Sequence, residues 1–180
     1  MKRILAVLAI AALAVTGGCS SIGAPTAPET DTLTGETPAV LLSVLDKAGS
    51  KLTEKMPMSE LRPVEASESQ QMLGLSTEDY EALVSQAAAA TALLTTSAHE
   101  VAIVKVQDIT QAATVAKKIA DGFDSKKWIC VMPDKSVVVI SGSYILLAVG
   151  QAAAVDALVQ GFSDLAEGNV GEANTFFTGP

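Results

Sequence analysis

The stretch Ser136–Val149 constrains this chain most. Ser136–Ile140 and Tyr144–Val149, both dense in β-branched and aliphatic residues, flank Gly142-Ser143. So short a connection permits only antiparallel pairing, and Gly at its first position suits a type II′ turn, whose first central residue takes positive φ. A sheet is therefore obligatory, and the other patterns are read around it. His99–Val106 is a second β-branched run and predicts a strand. Asp108, with Gln111 three residues on, predicts a capped helix whose apolar stripe runs through Ala112, Ala116, Ile119 and Phe123.

Further elements follow from the same periodicities. Thr37-Pro38 suits an N-cap and first helical position, and Leu41, Val44, Leu45, Ala48 and Leu52 continue a helix expected to end near Met56-Pro57. Glu65–Met72 predicts a short helix stopped by Gly74, and Ser76-Thr77-Glu78-Asp79 has the form of a capping box. Ala82–Thr96 is contested between helix and strand: Ala87–Ala90 favours helix, and a helical start with a strand near Ala88–Thr95 is expected. Trp128–Met132 predicts a strand, Pro133-Asp134-Lys135 a turn, and Val155, Leu158, Val159 and Phe162 a last helix. The expected class is α+β: a two-layer sandwich with a mainly antiparallel sheet of four or five strands and helices on one face.

The N-terminus says where such a domain sits. Met1-Lys2-Arg3 precedes an unbroken apolar run, Ile4–Val15, whose helical length of about 18 Å falls short of a bilayer core. It reads as an export-signal core rather than a membrane span. Gly17-Gly18-Cys19 follows at once and resembles the bacterial lipobox, with Thr16 where Leu is usual. The competing reading is an ordinary secretory peptide with an incidental Cys19. Under the lipobox reading residues 1–18 are removed and Cys19 carries a diacylglyceryl lipid, with two acyl chains sufficing for stable anchoring. Residues 19–38, rich in Thr and Pro, form a flexible tether; 39–166 form the single domain and 167–180 a Gly/Asn-rich tail.

Ala98-His99-Glu100-Val101-Ala102-Ile103-Val104-Lys105-Val106 before an amphipathic helix, Gly142-Ser143-Tyr144-Ile145-Leu146-Leu147-Ala148-Val149 after it, and a lipobox ahead of both resemble one family. It is the domain of unknown function 4358 family of Gram-positive bacterial lipoproteins. The resemblance spans about Leu41–Leu165 and implies a membrane-tethered extracytoplasmic domain with a strand near Ala88. It implies no catalytic residues.

Chemistry-bearing motifs are sparse. The net charge of −8 disfavours nucleic acid, whose binding depends on Lys and Arg neutralising phosphates. The one histidine, His99, begins a strand and is expected at a partly exposed edge rather than in a metal or catalytic site. Cys130 is expected to pack as a small hydrophobe within its apolar run. Glu100 and Lys105, five apart on a strand, fall on opposite faces and are expected as solvated or edge residues. Glu78, Asp79 and Glu81 are read as first-turn charges favoured by the helix dipole rather than as an acid–base pair. Lys117, Lys118, Lys126 and Lys127 suggest a basic face toward anionic lipid or wall polymer, against the plainer reading of ordinary surface lysines.

No nucleophile, metal-ligand or phosphate-loop constellation is apparent, so no metal or other cofactor is expected. The expectation is a non-enzymatic protein-interaction module, lipid-anchored at the extracytoplasmic face of the cell membrane. Its partner would be an envelope protein or a second copy of itself. The alternative is a small-molecule-binding lipoprotein, single-domain and associated with a transporter.

Overall fold

A computed structural model describes residues 27–52, 58–92, 97–128 and 130–180. The helices are α1 (Thr37–Gly49), α2 (Ser69–Leu73), α3 (Thr77–Leu83), α4 (Ala112–Gly122) and α5 (Ala152–Leu165). The strands are β1 (Arg62–Pro63), β2 (Val84–Thr91), β3 (Glu100–Val106), β4 (Lys135–Ser141), β5 (Tyr144–Gly150) and β6 (Asn174–Thr178). They form one six-stranded sheet in the order β1-β2-β3-β5-β4-β6, every pair antiparallel. The α+β class and the antiparallel sheet are as the sequence predicts.

The β4–β5 hairpin pairs Ser141 with Tyr144 and Lys135 with Gly150. Gly142 takes φ +57°, as the first position of a type II′ turn requires. Among the local signals, Ser76 Oγ accepts from Asp79 N at 3.1 Å to cap α3, Gly74 ends α2 in the left-handed region, and Asp108 accepts from Thr110 N at 2.9 Å ahead of α4.

Coverage of the sheet departs from expectation. One apolar cluster joins Ala102, Val104, Val138, Ile145 and Leu147 to Val115 and Ile119 of α4 and to Met72 and Leu73 of α2. A second joins Val101, Ile103, Val137, Leu146 and Ala148 to Leu41 and Val44 of α1 and to Val155, Leu158 and Phe162 of α5. Alternate residues of the same strands enter opposite clusters, as the two-residue side-chain period of a strand requires. Helices therefore cover both faces, and the arrangement has three layers where two were expected.

Several boundaries move for identifiable reasons. β2 starts at Val84, and Ala87–Ala90 lie wholly within it, because pairing with β3 from Val84↔Val106 to Thr91↔Glu100 overrides the helix propensity of alanine. α1 closes at Gly49, where Ser50 Oγ donates to Lys47 O at 2.7 Å; its expected end near Met56-Pro57 includes residues outside the described ones. Its N-cap is Glu36 rather than Thr37, whose buried Oγ1 has no partner while its N–H donates to Gln86 Oε1 at 2.7 Å. No strand forms among the described residues of 128–132. The edge of β4 away from β5 is taken instead by β6, so the segment read as a loose tail is partly an edge strand.

Residues read as tether also join the fold. Thr30 O and Asp31 lie against the hairpin turn, so closely that a Cβ on Gly142 would collide with them. Asp31 accepts from Ser143 N at 2.6 Å and from Ser143 Oγ at 3.0 Å. Thr32 Oγ1 donates to Ala166 O, Tyr144 Oη to Gly35 O, and Leu33 is buried in the α1–α5 cluster. Asp31→Ala removes a carboxylate that satisfies two donors, and a loss of about 1.5–3 kcal/mol in denaturant unfolding is expected; an unchanged midpoint would show that the strap adds nothing to stability.

Candidate functional site

Glu100 and His99 begin or immediately precede β3, and neither is solvated. β3 lies between β2 and β5, with Glu100 opposite Thr91 on one side and Val149 on the other. The expected edge position does not exist, and helices cover both faces. Strand alternation sends Glu100 to the α4 face, with Ala102 and Val104, and His99 to the α1–α5 face with Val101.

Glu100 is 1 % exposed, and its Oε2 lies 2.7 Å from Lys127 Nζ. The same Nζ donates to Gln71 O at 2.7 Å and sits 4.4 Å from the ring centroid of Phe123 and 5.2 Å from that of Trp128. The ammonium is thus held by a carboxylate, a carbonyl and two aromatic faces, the combination that suits a partly desolvated cation. Phe123 is fixed in turn by Phe176 of β6 in an edge-to-face contact, centroids 6.1 Å apart. Beside it, the buried Ser125 and Ser136 share a hydrogen bond of 3.0 Å.

Glu100 Oε1 is buried without a hydrogen-bond partner. Burial is the larger influence on this carboxyl and pushes it up to about 7, against the pull of Lys127 and Arg62. Arg62 is itself bonded to Glu68 at 2.7 Å. On the opposite face the His99 ring is buried against Gly150, where a Cβ would strike it, and its Nδ1 is unpartnered. Burial lowers its pKa, opposed by the Val149 backbone and the charge of Asp134.

The lysines do not make a free basic face. Lys117 pairs with Asp121, Lys118 with Asp79 and Lys127 with Glu100, so three of the four are neutralised, and Lys126 has no carboxylate partner among the described residues. Asp79 and Glu78 lie in the first turn of α3, as expected of dipole-favoured charges, with Glu81 further along the same helix. Lys105 lies on the face opposite Glu100, its Nζ 5.0 Å from the Tyr144 ring. Cys130 is exposed rather than packed in an apolar run, because the strand expected to bury it does not form. Cys19 lies outside the described residues.

Among the described residues no group of three or more His, Cys, Asp or Glu is placed to hold a metal, and no helix is long and apolar enough to cross a membrane. Glu100 can hold a proton near neutrality, but general acid–base work needs a substrate within hydrogen-bond reach, and this carboxyl is sealed. No family model matches the chain, and neither the curated proteins nor the solved structures contain a significant match.

The two buried groups act oppositely on stability. The folded chain keeps a proton on Glu100 that an unfolded carboxyl releases near 4.5, so this contribution is complete below that pH and is lost as pH rises toward 7. The folded chain keeps His99 neutral while an unfolded imidazole protonates below 6.5, so that contribution is lost as pH falls below 6.5. Relative to wild type, Glu100→Gln should gain stability as pH rises from about 5 to 7, and His99→Gln should lose it. Denaturant midpoints at several pH values check this, and slopes of the same sign in both variants would contradict it.

Proposed function

We propose that this chain is a lipid-anchored, non-enzymatic protein-interaction module at the extracytoplasmic face of the cell membrane. The reading rests on Gly17-Gly18-Cys19 after a short apolar leader, taken with the place where the chain joins the fold. From Cys19 to the strap at Thr30 a fully extended chain reaches at most about 40 Å, so a lipid on Cys19 keeps the domain close to the bilayer surface. The strap meets the sheet at its Gly142-Ser143 end. The opposite end, with Glu100 and the connection from α4 to β4, is remote from the attachment by about the length of a seven-residue strand, roughly 20 Å. Its partner is an envelope protein or a second copy of the chain.

The sealing of Glu100 favours interaction over catalysis, since the carboxyl group poised near neutrality has no access to a substrate. The resemblance to the domain of unknown function 4358 lipoproteins supports the same placement. Small-molecule binding is less favoured at the depression lined by Thr32, Leu33, Ala39, Val40, Ser43 and Leu165, whose volume of about 230 Å³ is below the roughly 300 Å³ at which ligand pockets usually begin.

Native mass spectrometry of the full-length chain extracted from its own membranes tests the reading. A mass beginning at Cys19 with a diacylglyceryl lipid, lost in Cys19→Ala, and a second polypeptide attached is the expected result. An unlipidated chain would overturn the anchor, and a lipidated monomer retaining a small organic molecule would favour the binding alternative.

A further inference from the structure

We propose that Lys127 and Glu100 form a pH-responsive latch, in which protonation of Glu100 releases Lys127 and frees the α4–β4 connection from the sheet. The connection, residues 123–134, contains no helix or strand among its described residues. Its ends are fixed: Phe123 is buried against Phe176, Ser125 bonds Ser136, and Asp134 N donates to Gly150 O at 2.9 Å. Between those anchors Lys127 touches Gln71 of α2 and Glu100 of β3, and Trp128 packs beside it against Phe123 and the core. Beyond it Cys130 is exposed and Met132 is 46 % exposed.

The geometry makes the contact conditional on charge. Lys127 is 19 % exposed, and its ammonium is tolerable there because Glu100 supplies a counter-charge at 2.7 Å. Glu100 Oε1, having no partner, accepts a proton without breaking any existing hydrogen bond. Once the carboxyl is neutral, Oε2 remains only a neutral acceptor, the ammonium has lost its counter-charge, and its flexible stem lets the head move into water. The other charged group acting on Glu100 is Arg62 of β1, committed to Glu68. Lys117 and Lys118 of α4 are committed to Asp121 and Asp79. The residues facing Glu100 on β2 and β5, Thr91 and Val149, are uncharged, and His99 lies on the other face of the sheet. Burial, which raises Glu100 to about 7, puts the switch within the ordinary range of extracellular pH.

Trp128, the one tryptophan of the chain, reports the latch directly, since its ring lies 5.2 Å from Lys127 Nζ and 6.4 Å from the Phe123 centroid. Acrylamide quenching of its fluorescence would be followed from pH 8 to pH 5 on the full-length chain in detergent. In wild type the quenching constant should rise at least twofold, with its midpoint near 7. Glu100→Gln should give the high value at every pH, and so should Lys127→Gln. A wild-type profile flat across this range would overturn the latch. So would a transition that persists in Glu100→Gln, which would belong to His99. Far-UV circular dichroism at each pH verifies the fold, and if Glu100→Gln does not fold, the Lys127→Gln profile decides alone: a pH-dependent profile would overturn the latch, and a flat, high one would support it.

Discussion

Burial of β3 and β5 on both faces is the constraint on which the rest of the molecule depends. Every residue of β5 is buried, and every residue of β3 except Lys105. Strands so placed have no side on which a polar residue meets water, so each must be apolar or find a partner inside the protein. Two helix layers follow, α1 with α5 on one face and α4 with α2 on the other. So does the predicament of Glu100, whose carboxylate must be matched by a cation delivered from elsewhere in the chain.

Lys127 is that cation, and its position explains the irregular connection after α4. The described residues of 128–132 form no strand, and β6 takes the free side of β4. The connection instead sets Trp128 against Phe123 and Lys127 against Glu100. The same event accounts for the exposure of Cys130. At the other end of the sheet, Asp31 performs a comparable task by satisfying the two donors of Ser143 at the hairpin turn.

Local signals were legible, and long-range ones were not. The hairpin, β3, α4, α5, the Gly74 stop and the Ser76 cap each depend on residues within a few positions of one another, which is where propensity and spacing carry information. The third layer was legible in principle: Val137–Ile140 and Ile145–Val149 are apolar at consecutive positions, whereas a sheet with one wet face alternates. β6 was hidden because its partner is distant in sequence and its surroundings are rich in Gly and Asn. Of the candidate site, Glu100 and Lys127 were each visible as charges, but their pairing joins a strand to an irregular segment and leaves no periodic trace. The alternation argument did place Glu100 and Lys105 on opposite faces; it failed only in supposing that one of those faces was wet.

A buried, half-compensated carboxyl group at the end of a central strand is the central claim, and it has a direct physical signature. Carbon-13 NMR of side-chain carboxyls, with Glu100 assigned through Glu100→Gln, would follow its titration in the full-length chain. Burial predicts a midpoint well above the ordinary carboxylate value of 4.5, at about 7. A midpoint at or below 4.5 would mean that Glu100 is solvated or fully compensated by Lys127, contradicting the half-compensated carboxyl and the pH-dependent release of Lys127.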